Sequence, residues 1–529
     1  MTGFDFLIVG SGAAGAVSAW RLCSKGYKVA CIERGDWQNT DEYPSTSVDW
    51  EIKKKLLSNP VAAERQSEFD YPIDDSQSPI AICNYNAVGG STILYSAHFP
   101  RFQPRDFKIK SSDGVAEDWP ISYADLKPYF ELNEHEMNVS GLSGDPYYPD
   151  IEKLLPPVPL GKSGERLAQA FNAKGWHWWP SYAAISTRNV RGRSPCINLG
   201  PCNTGCPQRA KSSTDITYIP KAISKGLKLI IKAAVFEVIV EHNRAIGVRY
   251  HDENGSVNEI YARHVILAAS AIGTPRILMN SKSNQNSVGL GNSSGQVGRN
   301  LMIHPLGYVE GVFDTELDTD IGPQGCMLFS LEHYRSNGAA HKLGYMLHAL
   351  RGTGPVETAL SVYRRRRLKF GNQLFDDFYY YYKKQLVLTV ICEDIPEKHN
   401  RVVLDRDAND RFGVPGIAVH YTINENSRKL LSNGVDNARK IMKEAGAVRT
   451  YAHAPVRNSG WHIMGTARMG ENPNSSVVNP IGKSHDIDGL YVVDSSCFVT
   501  GSCVNPANTI QAVSLYLTDQ IEEYARSES

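Results

Sequence analysis

The chain has 529 residues, too many for one simple core, so two or more domains, in series or interleaved, are expected. With 42% hydrophobic and 21% charged residues, and 56 basic side chains balanced by 56 acidic ones, it reads as an ordinary soluble globular protein with no global charge for nucleic acid or an anionic membrane to grip. No apolar run reaches the roughly 20 residues of a membrane span, no leader pattern opens the chain, and the ten cysteines follow no disulfide framework, so free thiols in the cytoplasm are expected.

The first element pair is carried by "DFLIVGSGAAGAVSAWRLCSKGYKVACIERG". Phe6 to Val9 form the continuous apolar run of a parallel strand buried on both faces. Gly10, Gly12 and Gly15 follow with G-x-G-x-x-G spacing. The first permits a tight turn, the second a close approach of backbone to a pyrophosphate, and the third close packing of the next helix on the strand. That helix presents its unpaired N–H groups to the phosphates. After the second strand, Glu33 is placed to accept from a ribose hydroxyl. The context of strand, glycine turn, helix and acid marks a dinucleotide site, but does not choose between FAD and NAD.

Residues 40–80 read as a loop or lid. "AVGGSTILYSAHFPRF" (87–102) is a second glycine loop, and "GWHWWPSY" (175–182) reads as core or domain-interface aromatics. Cys196, Cys202 and Cys206 lack C-x2-C spacing and a fourth ligand, so no metal is expected there. "HVILAASAIGTPRILMNS" (264–281) is a strand running into a helix, and "DIDGLYVVDSSCFVTGSCVNPANTIQAVSLYLTDQI" (486–521) is a strand ending in Asp494, a loop and a C-terminal helix. Such a late return to the cofactor suits the extended FAD better than a nicotinamide nucleotide. Between them, "QLVLTVICEDI" and "GVPGIAVHYTI" are strands by β-branched content, and "NENSRKLLSNGVDNARKIMKEAGA" is a helix stopped at glycine. The run Arg364 to Arg367 reads as a solvated face or lid, or as an anion-recognition element.

Taken in order, these segments resemble the glucose–methanol–choline (GMC) flavin oxidoreductases over nearly the whole chain. The resemblance also draws on "CNTGCPQRAKSSTDITYIPKA" (202–222), "AVFEVIVEHNRAIGVRY" (234–250), "VGRNLMIHP" (297–305), "KHNRVVLDRDANDRFGVPGIAVHY" (398–421) and "SGWHIMGTARMG" (459–470). It implies a discontinuous Rossmann-like FAD domain (1–155, 190–308 and 452–529) and an α+β substrate domain on an antiparallel sheet (156–189 and 309–451). It implies cofactor contacts from Gly10, Gly12, Ala13, Ala14, Gly15, Glu33, Arg34, Gly89, Gly90, Ser91, Thr92, Val235, Ala269, Asp494, Asn505, Pro506 and Thr509, with Val235 against the adenine.

The same resemblance makes His462 and Asn505 the catalytic pair. Oxidising an alcohol to an aldehyde or ketone sends a hydride to flavin N5 and needs a base for the hydroxyl proton; a neutral imidazole suits that task. Asn505 would hold the same oxygen. Gly460, Gly465 and Gly470 would let backbone approach the cofactor. His304 is read as a structural hydrogen-bonding residue. Some members tether FAD through a His in the second glycine loop; the matching position here is Leu94, so FAD is expected to bind non-covalently, with His98 the nearest substitute. The implied partners are a small-molecule alcohol and an electron acceptor (oxygen, a quinone or another carrier). A non-redox FAD-containing lyase and a nicotinamide-dependent dehydrogenase stand as alternatives.

Overall fold

The computed structural model describes residues 3–65, 67–281, 288–335, 341–351, 354–364 and 371–528. The side chains of the arginine run 364–367 lie outside the described residues.

The apolar segment Phe4–Val9 becomes the middle of a parallel sheet, flanked by Val29–Ile32 on one side and Val257–Leu267 on the other. Lys228–Ile230 and Leu490–Val492 extend the parallel part outward. The long strand Val257–Leu267 pairs at its exposed first half with the hairpin Ala234–Glu241/Arg244–His251. His242 and Asn243 close that hairpin with positive φ at both turn positions, as a two-residue type I′ turn requires. Helix Ala13–Ser24 packs on the sheet and on the C-terminal helix Ala507–Ser527, so chain start and chain end share one core.

A second sheet has six strands in the order Arg449–His453, Leu306–Val312, Gln385–Cys392, Tyr345–Leu350, Leu328–Ser330 and Trp179–Pro180, all antiparallel. Register decides its faces. Val309, Leu388 and Ala349 align and bury against helix Glu425–Glu444, which carries Leu430, Leu431, Val435, Ala438 and Ile441 at helical spacing. The alternate residues Leu306, Tyr308, Thr389, Ile391, His348 and Leu350 face the opposite way, into a cavity. Residues 309 and 451, where boundaries are expected, lie inside the strands Leu306–Val312 and Arg449–His453.

A third, three-stranded sheet holds Arg401–Asn409, Pro415–His420 and Ile73–Gln77. It packs on helix Ser270–Asn280 through Val402, Ile417, Val419 and Ile73. Segment 40–80 is therefore not simply a loop: it contains helix Trp50–Leu57 and the strand Ile73–Gln77, and the latter joins a parallel partner that no local pattern reveals. Among the described residues no helix is long and apolar enough to cross a membrane.

Candidate active site

A cavity opens where the parallel strands end and the second sheet begins. Val9 and Gly10, Ile32 and Glu33, Ala268 and Ala269, and Asp494 all line it, each at or just past the C-terminal end of a parallel strand. This is where open α/β sheets bind ligands. Two helices point their N-termini at it without a side-chain cap, Ala13–Ser24 after Gly12 and Ala507–Ser527 after Pro506. Their orphan N–H groups and dipoles favour an anion between them.

The three glycines of the first motif do different things. Gly10 sits at φ +99°, and a Cβ there would lie 2.5 Å from the Ala268 carbonyl oxygen. A Cβ on Gly15 would lie 1.9 Å from the Gly10 oxygen, so Gly15 serves helix–strand packing, not the cavity wall. A Cβ on Gly12 meets nothing nearer than Gly90 Cα at 3.9 Å, which leaves the two glycine loops as a bare-backbone cradle. Ala13, Ala14, Arg34, Gly90, Ser91, Thr92, Val235, Asn505 and Pro506 also line the cavity. Gly89 and Thr509 do not: Gly89 backs onto Asp215, and Thr509 Oγ1 accepts from the Phe102 amide.

Glu33 is buried and accepts from the Ser11 amide and hydroxyl at 2.9 and 2.8 Å and from the Gly35 amide at 2.9 Å; burial raises its pKa against those bonds. Asp494 is likewise committed to protein, accepting from Ser270 N, Thr274 Oγ1 and the Ser496 amide, and so caps helix Ser270–Asn280 at the cavity edge. These features fit an FAD: a carboxylate at the ribose end, backbone cradles and two helix N-termini for the pyrophosphate, and the unpartnered buried oxygens Asn84 Oδ1, Asn203 Oδ1 and Asn505 Oδ1 further along the same wall.

The end of the cavity that holds His462 is built by a two-residue ladder. Ile463 pairs with Ile303 and Met464 with Met302 in antiparallel register, so the next residues, His462 and His304, face each other. Their Nδ1 atoms lie 3.0 Å apart, and His304 Nε2 is 3.0 Å from the Gly501 carbonyl. Burial lowers the pKa of His304 to about 4, and lowers that of His462 well below its ordinary value, with His304 and His348 adding to the shift. Both rings are therefore neutral, and the tautomers follow. A carbonyl only accepts, so His304 carries its proton on Nε2 and its Nδ1 is a lone pair. His462 must then donate from Nδ1, which leaves its Nε2 as the acceptor. Asn505 Nδ2 lies 3.1 Å from that Nε2, as a donor should.

His304, read from the sequence as a structural hydrogen-bonding residue, does bond the Gly501 carbonyl, and its other ring nitrogen adds a contact to His462. The signal was present: Met302-Ile303-His304 is mirrored by His462-Ile463-Met464, as an antiparallel pair would have it. Gly460, Gly465 and Gly470 correct a second expectation. They do not approach the cavity; Cβ atoms there would strike Ala81 O at 2.3 Å, Asn300 O at 2.1 Å and Ser476 Cβ at 3.1 Å, so these glycines admit neighbouring protein segments that flank His462. Arg276 and Tyr71 were missed altogether. Both line the cavity; Arg276 is paired with Asp410 at 3.0 Å, stacks 4.4 Å above the Tyr71 ring, and has its pKa lowered to about 10 by burial.

The second glycine loop is held by Lys211, a buried ammonium donating to the carbonyls of Ile93, Tyr95 and Cys202. Leu94 and His98 from that loop both line the cavity. The aromatics of 175–182 serve the fold, with Trp179 in the six-stranded sheet. All ten cysteines are unpaired, and among the described residues no group of three ligand-type side chains could hold a metal.

Two family models, both described as GMC oxidoreductase, match residues 4–306 and 396–514. The chain is 36% identical over 525 residues to 2-methyl-1,2-propanediol dehydrogenase of Mycolicibacterium austroafricanum, covering 98% of this chain and 95% of the relative. It is 26% identical to the fructose dehydrogenase large subunit of Gluconobacter japonicus, covering 98% and 97%. Among solved structures, pyridoxine 4-oxidase from Mesorbium loti superimposes with a TM-score of 0.69 over 98% of this chain and 99% of that one at 16% identity, a likeness of fold.

Proposed function

The chain belongs to the GMC oxidoreductase family, and on that premise we propose that it oxidises an alcohol with His462 as proton acceptor and Asn505 as oxygen holder. It is an FAD-dependent oxidoreductase of CH–OH groups. FAD, when bound, supplies the acceptor for the hydride that leaves the carbinol carbon. Everything else falls to the chain. The Nε2 lone pair of His462, fixed by His304, takes the hydroxyl proton. Asn505 Nδ2, now beside that lone pair, donates to the same substrate oxygen and holds it as negative charge develops. The cofactor segments (1–155, 190–308 and 452–529) form the walls and the antiparallel sheet the floor. FAD is bound without a covalent tether, because Leu94 offers no ligand atom at the position where some family members carry a tethering His. Ten unpaired thiols accord with a reducing compartment such as the cytoplasm. The electrons leave to oxygen, a quinone or another carrier.

The observation that carries this reading is the single-acceptor geometry at His462 Nε2. The test is anaerobic flavin reduction by a panel of alcohols. His462→Ala is expected to retain FAD and slow reduction by about 10²–10⁴-fold, the usual value of a general base. Asn505→Ala also slows it, and the two losses combine less than additively, since both act on one oxygen. Wild-type reduction rates in FAD-loaded His462→Ala would refute the assignment. A yellow protein that no alcohol bleaches would favour lyase chemistry, and a colourless one a nicotinamide enzyme.

A further inference from the structure

We propose that His98, Thr389 and Gln324 form a second hydroxyl-binding subsite, so that the substrate is a dihydric or polyhydric alcohol. This rests on the alcohol-oxidising reading above and adds the substrate class to it.

In the six-stranded sheet, Tyr308, Thr389 and His348 align in one row across three strands, on the face turned to the cavity. The neighbouring row and strand end supply Leu306, Ile391 and Leu350, an apolar floor. Within this floor three side chains carry polar atoms that are buried and unpartnered: Thr389 Oγ1, Gln324 Oε1, and both ring nitrogens of His98. His98 and Thr389 are 1% and 2% exposed. Removing such groups from water without a partner is costly. A valine at 389 would pack equally in a central strand, whereas the hydroxyl needs something from the cavity.

The chemistry of the partner follows from the groups. Burial lowers the pKa of His98 well below its ordinary value, so the ring is neutral and offers one N–H and one lone pair. Thr389 also donates and accepts, and Gln324 Oε1 accepts. A hydroxyl, which does both, completes this set. A carboxylate would leave acceptors facing acceptors, an ammonium would leave the donors unused, and an alkyl chain would leave all of them bare. His348 braces the arrangement: its ring centroid is 4.1 Å from that of His98, and its Nε2 donates to the Gly325 carbonyl at 2.8 Å. His98, Thr389 and Gln324 line the same cavity as His462, which places the subsite beside the reacting centre. The proton-transfer steps described above use none of these three residues.

The test uses FAD-loaded wild type, Thr389→Val, His98→Phe and His98→Gln with propane-1,2-diol and propan-1-ol. Two readouts are taken: anaerobic flavin reduction, and the shift in melting temperature caused by each alcohol. Wild type should prefer the diol by at least about tenfold in reduction efficiency, because a site built to pair a hydroxyl rejects the analogue lacking it. Thr389→Val and His98→Phe should bring that ratio toward one, and His98→Gln, which keeps a donor and an acceptor, should recover part of it. The diol should raise the melting temperature of wild type and not that of Thr389→Val. If the wild-type ratio is near one, or if the variants lose both alcohols equally, the subsite is refuted. Flavin found on the acid-precipitated chain and lost in His98→Phe would also refute it, by giving His98 another task. If no alcohol bleaches the flavin, the proposed reaction fails while the subsite stands or falls on the diol-dependent melting shift alone.

Discussion

At the scale of single residues, the site turns on a proton whose place is fixed by elimination. The Gly501 carbonyl can only accept, so it sets His304, and His304 sets His462. His304→Phe should therefore slow anaerobic flavin reduction while FAD is retained, because His462 can then turn its Nε2 into a donor. His304→Gln should keep much of the wild-type rate, since an amide can accept from His462 Nδ1 and donate to Gly501. Equal losses in both variants would mean that His304 only fills space. The depressed pKa of His462 gives a pH signature as well. A base whose pKa lies below 6.5 stays unprotonated until the pH falls below that value, so the acid limb of the reduction rate should sit under pH 6.5. In His462→Ala the rate should instead rise toward alkaline pH, as substrate ionises without help. Glu393 is a second residue with a checkable sign. It is buried with both oxygens unpartnered, and burial raises its pKa to about 8. A carboxyl raised in the folded state stabilises below its unfolded pKa and loses that stability as pH climbs through the folded one. Glu393→Gln should thus gain stability relative to wild type between pH 5 and pH 9, by roughly a few kcal/mol at 1.36 kcal/mol per unit. A stability difference that does not grow with pH in urea unfolding would contradict it.

At the scale of elements, two glycine loops and one short ladder do the positioning. Gly12 and Gly15 lie three residues apart and should respond in opposite ways. Gly15→Ala puts a methyl 1.9 Å from the Gly10 oxygen and should unseat helix Ala13–Ser24, lowering the melting temperature of the apoprotein. Gly12→Ala has free space at the protein side and should leave the apoprotein melt alone, yet reduce the ratio of flavin to protein absorbance, because the methyl enters the cradle. Matching melts for the two variants would mean that the close contact is relieved by backbone adjustment. The glycine spacing, the helix Glu425–Glu444 and the strand Gln385–Cys392 were all readable, since each is set by local pattern. The strand Ile73–Gln77 was not: "IDDSQ" has little β-branched content, and it is made a strand by Pro415–His420 alongside it.

At the scale of the whole molecule, one cavity draws its walls from the first strand, the third sheet's neighbours, the antiparallel sheet and the last helix. A ligand there ties together parts of the chain some 500 residues apart, as Gly10 and Asn505 show. FAD should accordingly stabilise the fold by mass action, by about 2.7 kcal/mol at a free concentration 100 times its Kd. Acid precipitation should release the flavin into the supernatant, in keeping with Leu94 at the expected tether position; flavin retained on the pellet would overturn the non-covalent assignment. By itself the sequence determined that this is a dinucleotide-binding α/β chain of the GMC kind, and it singled out His462 and Asn505, which the fold brings to 3.1 Å of each other. Those features are local patterns or ordered motifs, which the order of residues along the chain sets directly. Tertiary structure alone decided that His304 orients His462, that Gly460, Gly465 and Gly470 serve packing, and that Thr389 joins His98 on the cavity floor. Each of these depends on strand register, where a shift of one residue turns every side chain to the other face, and register between distant strands is fixed by the packed core as a whole.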